Sequence, residues 1–270
     1  MNNKKTASHK PYFSCAVLML IIIGCAFAEL IMTKDPSYMD LTNCLKAPCA
    51  EFLFGTDSLG RDIFSMIWYG GRVSLIIGIL SSAISAVIAI IYGTLCALSA
   101  KWIDHILLRF AEIILSIPSL LLILSIQAVL SDANVISISF VIGITSWPSI
   151  AQVIRTEVRQ MRRNDYILAS RTLGSNGVHI LFHHMLPGIL PSVTFMIIMN
   201  VRTAIIAEST LSFIGIGLPI DVISWGSMLS LTDSTVLTGA WWILVIPGLF
   251  LVTTIFTMTQ IGNYLKNAWR

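Results

Sequence analysis

The chain has 270 residues, of which 56% are hydrophobic and only 11% charged, and its formal net charge is +3. A soluble domain carries about 25% charged residues, so a soluble enzyme, a nucleic-acid binder and a disordered protein are all excluded. The mean hydropathy of +0.83 leaves an all-α integral membrane protein as the expected fold class.

A helix needs about 20 mostly apolar residues to cross the hydrocarbon core. Taken in chain order, the first such run is Tyr12 to Met32. Lys4, Lys5 and Lys10 precede it, and Cys25 lies within it. That arrangement resembles a lipoprotein signal peptide, but the run is longer than a signal needs and further runs follow, so it is read as an ordinary span. The second run is Ser74 to Ala100, and Lys101, Asp104 and His105 interrupt it from the third, Ile106 to Leu130. The polar joint Ser131-Asp132-Ala133-Asn134 leads to the fourth, Val135 to Ile154. Arg155 to Leu186 is too charged to span; the fifth run is Gly188 to Leu218 and the sixth Trp241 to Leu265. Six spans are therefore expected, in a single membrane domain over residues 12–270.

Lys and Arg concentrate in cytoplasmic loops. Lys4, Lys5, Lys10, Lys101, Arg109, Arg155, Arg159, Arg162, Arg163, Arg171, Lys266 and Arg270 share one side if both termini, including residues 1–11, are inside. The joints at 131–134 and 219–240 then lie outside and hold neither residue type. The outer loop, about 33–73, is mixed: Lys34, Lys46, Arg61 and Arg72 alternate with Asp35, Asp40, Glu51, Asp57 and Asp62.

Of the cysteines, Cys15, Cys25 and Cys96 sit in apolar runs as packing residues. Cys44 and Cys49 lie in the outer loop, facing an oxidising compartment, as a local disulfide or as two free thiols. Two thiolates do not complete a structural zinc shell. The chain has no phosphate-binding Gly-x4-Gly-Lys-Ser/Thr loop, no catalytic triad pattern, no basic–aromatic patch for nucleic acid and no clear internal repeat.

The longest inner stretch, about 155–187, contains a short helix signature. Asn164 or Asp165 can cap it. Tyr166, Ile167, Ala169, Ser170 and Leu173 form an apolar stripe with small residues, and Gly174 and Gly177 stop it. Such a helix suits either the socket of another protein or the membrane surface.

Ala169-x4-Gly174, with Leu186-Pro187 thirteen residues past the glycine, resembles the loop by which ABC-importer permeases dock on a cytoplasmic ATPase. Leu168 stands where that family usually has Glu, and Ser170 where it has a second Ala. Phe54-Gly-Thr-Asp-Ser-Leu-Gly-Arg-Asp-Ile-Phe-Ser65, followed by Tyr69-Gly-Gly-Arg-Val-Ser-Leu75, resembles the outer loop of the oligopeptide, dipeptide and nickel permeases. Glu208-x2-Leu-Ser-Phe-Ile-Gly-Ile-Gly-Leu-Pro219, Ser224-Trp-Gly-x-Met-Leu229 and Trp242-x4-Pro247-Gly248 are similar to their fifth and last spans. Asn263 and Asn267 stand where acids are common in the family.

The resemblance implies a type I permease fold in a bacterial cytoplasmic membrane. It also implies a second homologous permease, two ATPase subunits that hold ATP and Mg, and an extracytoplasmic solute-binding protein. No cofactor, metal or catalytic residue is expected on this chain. The ATPase-docking residues would be Asp165, Tyr166, Leu168, Ala169, Ser170, Arg171, Leu173, Gly174 and Pro187. Asp57, Gly60, Arg61 and Asp62 would meet the delivery protein or, through turn chemistry, hold their own loop together.

Arg202, Glu208 and Ser212 are the candidates for the translocation pathway, because intramembrane charge points to function. Arg202 and Glu208 are six apart and so are not intrahelical partners. Glu29, Glu112 and Gln127 are weaker candidates near span ends. His179, His183 and His184 form a helical pair plus one, read as a polar face rather than a metal site. Leu168-Ala-Ser-Arg171 leans the expected cargo towards nickel or a metal chelate ahead of short peptides. A stand-alone channel, an ion-coupled carrier or a non-transporting anchor are the rival readings.

Overall fold

The structure, a computed structural model, describes residues 11–130, 134–219, 221–232 and 239–268. Lys4, Lys5, Lys10 and Arg270, and most of the joint at 131–134, lie outside the described residues.

Tyr12–Ala26 forms α1, and after Phe27 a single turn, Ala28–Ile31, forms α2. The expected run Tyr12 to Met32 is thus broken. The Arg72 side chain reaches the carbonyls of Cys25 and Ala26 at 3.3 and 3.1 Å, so carbonyls freed at the break are satisfied. At 1.5 Å per residue α1 is about 22 Å long, shorter than the roughly 30 Å hydrocarbon core.

Ile63–Leu98 is α3, a helix of 36 residues, about 54 Å long at the standard rise. It starts eleven residues before the expected second run, which opened at Ser74. The cause is the Asp62 carboxylate, which accepts the Ser65 N–H at 3.0 Å as an N-cap. Lys101–Ser116 (α4) and Ser119–Leu130 (α5) meet at an 89° bend. Pro118 lacks an N–H and pushes Ile117 into extended geometry, φ −88° and ψ 130°. The third expected span is therefore not one straight rod.

Val135–Met161 is α6, opened by a capping box between Asn134 and Ser137. Asp165–Thr172 (α7) and Gly177–Ile180 (α8) follow. A π-turn over Leu181–Met185 then runs into α9, Leu186–Phe213. Pro187 falls in the first turn of α9, where its missing N–H costs least. Trp225–Ser230 (α10) and Trp242–Ala268 (α11) complete the chain.

Among the described residues four helical stretches are long and apolar enough to cross a membrane: α3, α6, α9 with its π-turn, and α11. The bent pair α4–α5 makes a fifth if it counts as one span, and α1 is a shorter apolar helix.

Small side chains set the closest packing. Gly93 of α3 lies against the Ala151 carbonyl and Ile154 of α6. Gly143 of α6 lies against Ile84 and the Ser81 carbonyl of α3. Small residues let two backbones approach in lipid, where water supplies no drive to associate. One core cluster joins α1, α3, α10 and α11 through Cys25, Ile67, Trp68, Trp225 and Trp242. A second joins the far end of α3 to α6 and α9 through Ala89, Ala97, Ile154, Ile167 and Ile189.

Candidate functional site

The loop before α3 is a closed cap. Asp57 accepts the N–H groups of Leu59 and Arg61 at 2.9 and 2.8 Å and the Arg61 Nε at 2.7 Å. Gly60 has φ +73°, and a Cβ there would run into the Asp40 carbonyl, so only glycine makes this turn. The Trp242 indole of α11 donates to the Thr56 carbonyl at 3.0 Å, which ties the cap to the last helix. In the same loop, the hydroxyl of Thr42 holds the half-buried Asp40 carboxyl below the usual carboxylate range.

Asp57, Arg61 and Asp62 are 1%, 4% and 2% exposed. The turn-chemistry reading therefore accounts for them. Asp57 pairs with Arg61 inside the loop, and Asp62 caps α3. Cys44 and Cys49 are free thiols. Leu45 N–H bonds to the Asp57 carbonyl and Cys49 N–H to the Phe52 carbonyl, so the two cysteines belong to different turns.

Glu208 of α9 is fully buried. Its carboxylate accepts Ser224 Oγ at 2.7 Å, Ser212 Oγ at 3.0 Å, Ser74 Oγ at 3.2 Å and Ser209 Oγ at 3.4 Å. Ser74 Oγ in turn accepts the Trp225 N–H, and the Trp225 indole donates to the Ile67 carbonyl. Gly226 admits the close approach of α10 to Ser209 and Glu208 Oε1. One carboxylate thus fastens α3, α9 and α10. Ser212 also lines a cavity of about 330 Å³, with Arg61, Met66, Ile223 and Ser227.

Arg202 is not part of this knot. Its guanidinium reaches Thr259 Oγ1 of α11 at 3.3 Å, and its Nε is buried without a partner among the described residues. Of the weaker candidates, Glu29 pairs with Arg72 and Glu112 with Arg109, both at 3.0 Å, and Gln127 is buried in α5.

Near the opposite end of α3 lies a further buried carboxylate, whose role sequence reasoning missed. Asp104, 1% exposed, takes Arg155 Nε and Nη2 at 2.5 and 2.7 Å and Arg159 at 2.7 Å. The only signal was the i, i+4 spacing of the two arginines, which puts both on one face of α6. Arg162 donates to the Ala97 carbonyl at 2.7 Å. These bonds fix the adjoining ends of α3, α4 and α6 relative to one another, where the chain enters α7.

Asn164 starts α7 through its carbonyl, which accepts the Ile167 and Leu168 N–H groups at 3.0 and 3.2 Å. Asp165 sits in the first turn, favourable for the helix dipole. The helix ends at Gly174, φ +86°, with Ser175 N–H returning to the Ser170 carbonyl at 3.1 Å, the Schellman closure that glycine permits. The expected stripe is corrected here. Only Ile167 is buried, packed into the cluster formed by α6 and α9. Tyr166, Leu168 and Ala169 are exposed, and Leu173 is 86% exposed. Beside it the His179 and His183 rings stack at 4.1 Å, and His184 lies 6.3 Å from Tyr166. A further cavity, about 620 Å³, is lined by Glu157, Gln160, Ser192, Phe195 and Lys266. In it Ser192 donates to Glu157 at 2.9 Å.

Residues 86–269 match the family described as binding-protein-dependent transport system inner membrane component. The chain is 34% identical over 252 residues to the oligopeptide transport system permease protein OppC of Bacillus subtilis, covering 93% of this chain and 82% of that protein. It is 31% identical to the dipeptide transport system permease protein DppC of the same organism, covering 93% and 78%. Among solved structures it is similar to a chain of the MetNI methionine ABC transporter in inward facing conformations, with a TM-score of 0.63 and 16% identity, covering 76% of this chain and 96% of that one.

Proposed function

The chain belongs to the family of inner membrane components of binding-protein-dependent transport systems and is a multi-pass ABC-importer permease subunit, and from that premise we propose that it carries short peptides inward, driven by ATPase subunits docked on α7. Both termini lie in the cytoplasm, with α1 through α11 making six crossings, α1–α2 and α4–α5 being the two irregular ones. A second homologous permease completes the pathway. An extracytoplasmic binding protein delivers cargo at the outer face, and two ATPases bind ATP and Mg inside.

The observation that carries this reading is α7. It is anchored by one buried side chain, Ile167, while Tyr166, Leu168 and Leu173 stand in the open. Exposed apolar groups of this size, rimmed by polar residues, mark a protein contact. Ile167 packs in one cluster with Ile154 and Val158 of α6 and Ile189 and Val193 of α9. Displacing α7 therefore moves both helices. ATP-driven closure of the partners would thus tilt α6 and α9 and alternate access to the pathway. Arg202, Glu208 and Ser212 act differently in this scheme: Ser212 lines the outer cavity, Glu208 holds its wall, and Arg202 braces α9 on α11.

The relatives bear the names of peptide permeases, so peptides take precedence over nickel, which residues 168–171 alone favoured. The test is uptake into proteoliposomes holding the reconstituted importer. Labelled di- and tripeptides compete with Ni²⁺, and peptide uptake that requires the ATPases is expected. Uptake by this chain with the ATPases omitted would establish a channel or ion-coupled carrier instead. Uptake of Ni²⁺ with no peptide uptake would overturn the cargo.

A further inference from the structure

The inner corner where α3, α4 and α6 meet encloses a cavity of about 590 Å³, separate from the Glu208 knot and from α7. Its lining includes Lys101, His105, Arg159, Arg162 and Arg163 against a single acid, Asp104. That acid is already taken by Arg155 and Arg159, and Arg162 is turned to the Ala97 carbonyl. The side chains of Lys101 and Arg163 have no ion-pair or hydrogen-bond partner among the described residues, so the cavity keeps an uncompensated positive charge. The start of α4 adds to it, because Ala100 at the N-cap position offers no side-chain acceptor and the first N–H groups stay open.

The setting of α4 says what kind of anion reaches this place. Trp102, Ile106, Phe110 and Ile113 are exposed along one side of α4, while Asp104 and Ala111 are buried on the other. The helix turns by 89° into α5. An amphipathic helix with an exposed Trp at its cationic end, bent away from the next apolar segment, has the character of one lying at headgroup depth. Basic pockets between helices on the cytoplasmic side receive acidic lipid headgroups. We propose that this cavity binds the phosphodiester headgroup of an anionic phospholipid, with Lys101 and Arg163 meeting the phosphate and the acyl chains running along the Trp102–Ile113 face of α4. The lipid would brace the Asp104 clamp from outside, at the root of the segment that leads into α7.

The proposal rests on the inward orientation given above for the biological leaflet, but binding in detergent is independent of orientation, so the two can fail separately. The purified full-length chain is titrated in a neutral detergent with dioleoyl phosphatidylglycerol and with dioleoyl phosphatidylcholine, and bound lipid is counted by native mass spectrometry. Preferential retention of the phosphatidylglycerol is expected. Lys101→Gln combined with Arg163→Gln should weaken it about tenfold or more, since each cation near an anionic headgroup contributes substantially. Both side chains lack internal partners, so the variant should keep its thermal midpoint. Should it fail to fold, the wild-type chain still decides, because the preference should collapse between low and high salt. Equal retention of the two lipids, or an unchanged preference in the variant, overturns the proposal. Displacement of bound phosphatidylglycerol by millimolar inorganic phosphate would make the ligand a free anion and overturn the lipid assignment. Loss of ATPase co-purification with lipid binding intact would assign the cavity to the ATPase and overturn it as well.

Discussion

Glu208 and Asp104 lie buried towards opposite ends of α3, and they are satisfied in different ways. Glu208 is held by four serine hydroxyls. Asp104 is held by two guanidinium groups. The hydroxyl knot joins three helices through neutral donors that each also fit a helix surface. The charged clamp joins α4 to α6 with strong, directional bonds that depend on both signs being present. The Glu208 knot therefore suits a closely packed wall between helices, and the Asp104 clamp suits a rigid joint beside the segment that leads into α7.

The sharpest way to break the comparison is Asp104→Ala. Arg155 is 17% exposed and would be left without its partner, at a cost of about 3 kcal/mol, the lower end of the range for a broken buried pair. A fall in thermal midpoint, with weakened ATPase association, is expected. Glu208→Ala should cost about 2–3 kcal/mol by stranding the serine hydroxyls and opening a void, whereas Glu208→Gln, which keeps one acceptor, should cost about half of that. If Gln proves as damaging as Ala, the charge rather than the acceptor geometry holds the knot. Trp242→Phe removes one bond, to the Thr56 carbonyl, and should cost about 1 kcal/mol, read as earlier proteolysis of the outer loop. Leu168→Asp changes an exposed position and should move stability by less than about 0.5 kcal/mol while reducing ATPase co-purification about tenfold, as loss of a contact residue does.

Much of this was legible in the sequence. The apolar runs that became α3, α6, α9 and α11 follow from hydropathy alone, and Glu208 stood out because a lone carboxylate in an apolar run needs a reason. The Gly-Thr-Asp-Ser-Leu-Gly-Arg-Asp stretch was legible as a motif, with contact to a delivery protein and turn chemistry both open. In the fold Asp57 and Arg61 neutralise each other inside the cap, and sequence cannot show where opposite charges pair. For the same reason the start of α3 was placed too late: Arg72 looked like loop, yet it sits within the helix and binds the carbonyls at the α1–α2 break. The Asp104 clamp links residues 51 apart, beyond any local pattern. The bend at Pro118 had a local cause, and hydropathy averaging over the run hid it.

The central claim is that α7 carries the drive from the ATPases to the pathway. Its direct measurement is ATP-dependent peptide uptake by the reconstituted importer holding either the wild-type chain or Leu168→Asp, at matched thermal stability. Uptake that requires the ATPases and falls with the substitution is predicted. Uptake that continues without the ATPases, or that Leu168→Asp leaves untouched, would contradict it.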